Sequence, residues 1–300
     1  MIKRKILLYS NLGAYPANNY RTGLLNTLKR DARFQVEHVK CHVESFRGVY
    51  NQFKPDIVLS VKGWIPKDIN HGNCKFIQLF PDDPDKVDEA CKHVPEFDYW
   101  FTNSFEAVTL YNNNGFRDVF VCGFATDEKF TENIEQKDEF KCDIMFAGGD
   151  GQKKYRYKYL NALKGLDVRV YGKWSKDVYG NQHRVLRGQE YFEAIKSAKI
   201  AIDFNVSGSG FFNVKTKSFE IPASKGAMML CDQFEEMALY YDYTCEVAGF
   251  TTPEDLRIKC EYFLKHESER KKFVERAYER FMNEHTWKKR LDFIFKKCRI

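Results

Sequence analysis

This 300-residue chain has no Cys-x-x-Cys pair, no cluster of histidines and no apolar run near the roughly 20 residues that cross a bilayer. Its mean hydropathy of -0.55 likewise argues against an integral membrane protein. The nine cysteines (Cys41, Cys74, Cys91, Cys122, Cys142, Cys231, Cys245, Cys260 and Cys298) are odd in number and scattered, the pattern of reduced core thiols and not of a disulfide framework or a zinc site. The seven histidines include no pair at ligand spacing, so no structural metal is expected. Also missing are a Gly-x-Gly-x-x-Gly dinucleotide fingerprint, a P-loop, a Ser/His/Asp order and a reactive-cysteine context. The opening Met1–Ser10 starts with charge, but its apolar run of about four residues is shorter than the roughly 7–15 of a signal core. It reads as a first strand, and a cytoplasmic protein is expected.

Hydrophobic residues make up 43% and aromatics 16%, enough apolar surface for two domains of ordinary size. The net charge of +6 is unevenly placed. Residues 1–140 carry 18 Lys and Arg against 20 Asp and Glu, whereas residues 141–300 carry 30 against 22. The second half is therefore the anion-facing half, with a basic stretch running from Lys153 and Lys154 through Arg156 and Lys158 to Arg184 and Arg187. Such a face fits bound phosphate, nucleic acid or plain solvation.

Short apolar runs alternate with helix-length amphipathic stretches in both halves, which predicts parallel sheets covered on both faces. In the first half the strands fall at Lys5–Ser10, Phe34–Cys41, Asp56–Val61, Lys75–Phe80, Tyr99–Thr102 and Val119–Cys122. The polar stretch 128–141 reads as a linker. A second series follows, with strands at Cys142–Ala147, Val168–Tyr171, Ile200–Phe204 and Ala227–Cys231, and a helical region beyond Pro253. The expected architecture is α/β, with Rossmann-like domains over 1–127 and 142–283 and a terminal helix over 284–300 that crosses back to the first domain. Ligands of such folds bind at the carboxyl ends of strands, in the cleft between the domains.

Loops after strands are therefore where chemistry is sought. Asn11 and Gly13 follow the first strand, in a loop that reads equally as an acceptor contact or a polar surface turn. Pro81-Asp82-Asp83-Pro84-Asp85 follows another. Its close carboxylates could hold a metal or poise one another as a base, or form a proline-stiffened solvated turn. Gly148 and Gly149 precede Lys153, Lys154 and Arg156 at a helix start, where freed amides, the helix amino end and a cation suit a phosphate. Ser207–Asn213 reads as a connector or a mobile loop beside the ligand, with Asn213 a candidate donor contact. Tyr171 and Trp174 read as core or as a base-stacking pair, and His285 as a hinge or packing residue. The segment Lys217-Ser218-Phe219-Glu220-Ile221-Pro222-Ala223-Ser224-Lys225-Gly226 pairs cations with one carboxylate before a glycine turn. That suits the phosphates and ribose hydroxyls of a nucleotide, and also an ordinary glycine-capped helix.

Four elements in order resemble the C-terminal domain of GT-B glycosyltransferases, in particular the spore-maturation (CgeB-type) branch. They are Phe146-Ala147-Gly148-Gly149 with Arg156; Lys217 to Gly226; Phe250-Thr251-Thr252-Pro253-Glu254-Asp255-Leu256; and His285-Thr286-Trp287-Lys288-Lys289-Arg290. The first half is similar in its order of elements and in Asp82-Asp83-Pro84. The resemblance implies two facing Rossmann-like domains, a nucleotide-diphosphate sugar donor (a UDP-sugar), no prosthetic group and no metal. It puts Glu220 on the donor ribose and Arg156 and Lys217 on the diphosphate, where the family usually has arginine at the Lys217 position. Asp83 is then the candidate catalytic base, with Asn11, Gly13 and Asp82 as acceptor or cleft contacts and an acceptor that is a small molecule, glycan, protein or DNA. Two alternatives stand beside transfer to an ordinary acceptor hydroxyl: a viral-type enzyme acting on hydroxymethylated bases in DNA, and a catalytically silent nucleotide-sugar-binding protein.

Overall fold

The computed structural model describes residues 3–11, 19–41, 45–150, 153–175, 179, 184–207 and 210–300. These residues form two compact units. One contains the chain up to Asp127 together with Trp287–Ile300, and the other contains Glu128–Thr286.

The first unit is built on β1 (Arg4–Ser10), α1 (Asn19–Arg30), β2 (Phe34–Lys40), α2 (Phe46–Phe53), β3 (Ile57–Val61), β4 (Lys75–Phe80), α3 (Val87–Ala90), β5 (Tyr99–Thr102), α4 (Phe105–Asn113) and β6 (Val119–Val121). Its strands form one parallel sheet in the order β2-β1-β3-β4-β5-β6. Every residue of β3 is buried, as expected for a central strand with both faces covered. Ser45 and Ser104 cap α2 and α4 by accepting from the backbone N–H groups of Gly48 and Ala107.

The second unit contains β7 (Cys142–Ala147), α5 (Lys153–Ala162), β8 (Val168–Tyr171), α6 (Gly188–Ser197), β9 (Ala198–Asp203), α7 (Lys217–Ala223), β10 (Met228–Asp232), β11 (Ala248–Phe250), α8 (Pro253–Lys265) and α9 (Glu267–Arg280). Its parallel sheet runs β11-β10-β9-β7-β8. The chain winds from β7 to β8 on one side and then from β9 to β11 on the other. The carboxyl ends of β7 and β9 therefore flank a topological switch point, the preferred ligand position of such sheets.

Residues 128–141 do more than tether. Glu128–Phe130 and Asp138–Phe140 form single 3-10 turns, and Ile134 and Phe140 are buried. The helical region after Pro253 also divides: α8 and α9 stay in the second unit, and α10 (Trp287–Lys297) belongs to the first. There Trp287 packs against Tyr20 at 4.9 Å between ring centroids, Phe295 against Phe34 at 5.1 Å, and the Trp287 backbone N–H donates to Thr126 O at 3.2 Å. Gly23 permits this seat, because a Cβ there would lie 3.0 Å from Trp287 Cδ1 and 2.9 Å from Asp127 Cβ. Asp127 in turn accepts from both terminal nitrogens of Arg30, at 3.0 and 2.6 Å.

Candidate donor site

Two cations meet at the β7–β9 switch point. Lys217, the first residue of α7, donates from Nζ to Ala147 O at 3.1 Å and stands 4.5 Å from the Phe146 ring centroid. Arg156 on α5 reaches the same ring at 5.5 Å and donates from Nη1 to Gly149 O. An aromatic ring beside two like charges offsets part of their desolvation. Burial pulls the Lys217 ammonium down to about 8, with Asp203 opposing that fall and Arg156 adding to it. Burial also draws Arg156 below its ordinary range, and its Nε is buried with no hydrogen-bond partner among the described residues.

The β7 loop is shaped by close approach. Gly148 donates its N–H to Tyr171 O at 2.7 Å and accepts from Trp174 Nε1 at 2.8 Å. Its amide, expected from the sequence to face a phosphate, is thus engaged with the neighbouring strand. The glycine is needed instead because a Cβ would meet Phe146 at 2.7 Å and Lys217 Nζ at 3.4 Å. Gly172, at φ 138°, lies against this loop, and a Cβ there would stand 2.4 Å from Gly148 O. Tyr171 and Trp174 are buried, which places them in the core.

A buried polar network underlies the cations. Asp203, the last residue of β9, accepts the Ser218 hydroxyl at 2.5 Å and the Asn205 side-chain amide at 3.3 Å, with its other oxygen 3.8 Å from Lys217 Nζ. Asn205 donates its N–H to Asp232 at 2.5 Å, and Asp232 also accepts from Tyr155. Burial raises Asp232 to about 7. Asn213 joins by donating its N–H to Asn205 O at 3.1 Å. Glu220, 2% exposed in the first turn of α7, accepts the Tyr191 hydroxyl at 2.9 Å. Gly148, Gly149, Arg156, Lys217, Glu220 and Asn213 thus assemble in one unit. Asp203, Asn205, Ser218, Tyr191 and Asp232 join them without having been singled out in the sequence. The one sequence signal that could have exposed Asp203 and Asn205 is a pair of polar residues closing an apolar strand.

A turn follows α7, as the glycine there led one to expect. The left-handed residue is Lys225, at φ 49°, and not Gly226. Gly226 is required by packing, since a Cβ there would lie 2.3 Å from Lys196 Cα. A cavity of about 710 Å³ opens beside this turn at the amino ends of β7 and β9. It is the wrong end of the sheet for a ligand, and its Lys199, Lys225 and Lys271 are paired with Asp143, Glu275 and Glu267.

In the first unit, Asp83 is wholly buried and accepts from the Tyr111 hydroxyl at 3.1 and 3.2 Å. Burial pushes it up to about 7. Asp82 is partly exposed and pairs with Lys62. Asn11 is exposed, and its carbonyl accepts from Arg21 at 2.6 Å. Gly13 lies outside the described residues. Among the described residues no three His, Cys, Asp or Glu side chains gather into a metal-binding group, and no helix is long and apolar enough to cross a membrane.

Residues 156–296 match a family model described as glycosyl transferase-like. No curated protein matches the sequence. Among solved structures, the fold is similar to that of Anabaena Alr3699/HepE in complex with UDP and glucose, at 8% identity, covering 98% of this chain and 99% of that one with a TM-score of 0.69. Sucrose-phosphate synthase from Thermosynechococcus elongatus is similar at 11% identity over 99% and 98%, with a TM-score of 0.68. T4 phage BGT in complex with its UDP-glucose substrate is similar at 14% over 98% and 99%, with a TM-score of 0.59. This chain therefore has the two-domain GT-B fold, and its residues 156–296 are glycosyl transferase-like in sequence.

Proposed function

We propose that this protein is a glycosyltransferase that moves a sugar from a UDP-sugar to an acceptor hydroxyl, without a metal, and that it belongs to the spore-maturation (CgeB-type) branch. The observation that carries this reading is the pair of partly buried cations, Arg156 and Lys217, at the Phe146 ring by the β7–β9 switch point. Sugar transfer breaks the bond between the anomeric carbon and the diphosphate oxygen. Negative charge then grows on the leaving group where these cations stand, and preorganised charge at that point lowers the barrier. The buried Arg156 Nε is a donor that a phosphate oxygen would satisfy. Glu220, seated by Tyr191, would take the ribose hydroxyls. The acceptor falls to the first unit, beyond β1 and β4, and its hydroxyl oxygen forms the new bond while its proton passes to a carboxylate there. Asp83 is the candidate, and Asp82, Asn11 and Gly13 are candidate contacts.

Nine free cysteines, all among the described residues, agree with a reducing cytoplasmic location. The positive excess of residues 141–300 favours DNA as an alternative acceptor. The deciding experiment is a calorimetric and hydrolysis screen of UDP-, GDP-, ADP- and TDP-sugars. A UDP-sugar should bind and be slowly hydrolysed, and Lys217→Ala should abolish both. Binding without hydrolysis or transfer would instead identify a silent nucleotide-sugar-binding protein.

A further inference from the structure

Asp203 is a wholly buried carboxylate set directly behind the lysine of this cation pair. A buried charge is tolerated only when its neighbours satisfy it, and these do so with direction. Ser218, the residue after Lys217, donates to one Asp203 oxygen at 2.5 Å, which ties the start of α7 to the end of β9. Asn205 donates to the same oxygen at 3.3 Å, while its own Oδ1 accepts the Lys215 N–H at 3.1 Å. The other Asp203 oxygen is left facing Lys217 Nζ at 3.8 Å, too long for a hydrogen bond but close for an ion pair in a site of low dielectric. Both segments flanking the lysine are thus fastened around one carboxylate.

We propose that Asp203 is the positioning residue of the donor site, holding the Lys217 ammonium charged and aimed at the donor diphosphate, so that nucleotide affinity at alkaline pH depends on a side chain that never touches the nucleotide. This rests on the assignment of the donor site above. Lysine needs such a partner where arginine would not, because its ammonium can lose its proton when buried. Lys217 is faced by Asp203 from β9, Arg156 from α5, Glu220 from its own helix and Lys215 from the preceding loop, and Asp232 on β10 lies within its electrostatic reach. Burial has already brought it down to about 8, and Asp203 is the strongest opposing influence. Loss of one adjacent opposite charge lowers such a group by about 1 pH unit or more.

The test is calorimetric titration of UDP into the full chain between about pH 7 and 9.5, where the phosphates are essentially ionised. For the wild type, Kd should rise as pH passes about 8. In Asp203→Asn that rise should begin about 1 pH unit lower, with Kd several-fold higher at pH 8. Ser218→Ala, which loosens the same carboxylate and leaves its charge, should shift the rise in the same direction by less. Lys217→Arg should remove it. The inference fails if Asp203→Asn follows the wild-type profile or is weakened equally at every pH. Should that variant not fold, an unshifted Ser218→Ala profile overturns it. If the wild type binds no UDP at any pH, the donor-site assignment falls and takes this inference with it, whereas UDP binding with an unshifted variant removes the inference alone.

Discussion

The Tyr191 hydroxyl donates to Glu220 Oε2 at 2.9 Å, joining α6 to the first turn of α7 through two buried side chains. The bond fixes the carboxylate assigned to the donor ribose. Glu220→Ala should reduce nucleotide affinity beyond detection by calorimetry. Tyr191→Phe should keep the fold, lower stability by about 2 kcal/mol and weaken nucleotide binding less than the glutamate change. Urea denaturation and UDP titration of both variants check the order. Equal UDP affinity in Glu220→Ala and wild type would remove the ribose assignment.

Arg156 is held by the Gly149 carbonyl on one side and the Phe146 ring on the other. Because a charge-assisted hydrogen bond contributes about 1.5–3 kcal/mol, Arg156→Ala should raise the Kd for UDP roughly 10- to 100-fold. Arg156→Lys should recover only part of that, since the planar fork is lost. Binding of uridine, which lacks phosphate, should be little changed in either variant. A matching loss for uridine would point to general damage.

Gly172→Ala would place a methyl group 2.4 Å from the Gly148 carbonyl, at a φ of 138°. Backbone must move to admit it, so a loss of more than about 2 kcal/mol is expected. The β7 loop should be displaced as well, weakening UDP binding in whatever protein remains folded. Gly165→Ala, which meets nothing within 4 Å although its φ is 91°, is the comparison that isolates the clash from the backbone strain. Equal melting temperatures for the two variants would contradict the argument.

Asp83 is pushed up to about 7 by burial, whereas in the unfolded chain it ionises near its ordinary 3.8. Between those values the folded protein binds the additional proton. The stability contributed by the protonated carboxyl is therefore complete below about pH 4 and is lost as pH rises through about 7. Asp83→Asn, which carries no charge to desolvate, should gain stability relative to wild type across that window and then level off. Urea midpoints at pH 4, 5.5, 7 and 8 measure it, and a difference independent of pH would show that Asp83 is not strained by ionisation. Transfer activity in the same variant tests its candidacy as the base.

Most of the strands were legible, though not their order in the sheets, because central strands such as Ile57–Val61 are short apolar runs bounded by polar turns. The gathering of Arg156, Lys217 and Glu220 could be anticipated from the ordered family pattern. Asp203 was not legible: one aspartate at a strand end has no spacing signature, and its importance arises only when Lys217 comes within 3.8 Å. The packing of residues 128–141 was hidden for a related reason, since Ile134 and Phe140 are too far apart to form a periodic pattern. The reason for Gly226 in the turn after α7 was not legible, because a glycine needed for close approach looks the same in sequence as one needed for its φ.

By itself the sequence determined the alternation of strands and helices, the two-sheet architecture and the positive bias of the second half, since these follow from local periodicity and composition. Tertiary structure alone decided that Gly148 serves through its missing side chain, that Asp203 stands behind Lys217, and that Asp83 is enclosed with Tyr111. Those outcomes depend on which distant segments share a few ångströms of space. Close packing and burial, and not residue type alone, set what each amide, carboxylate and ammonium can do.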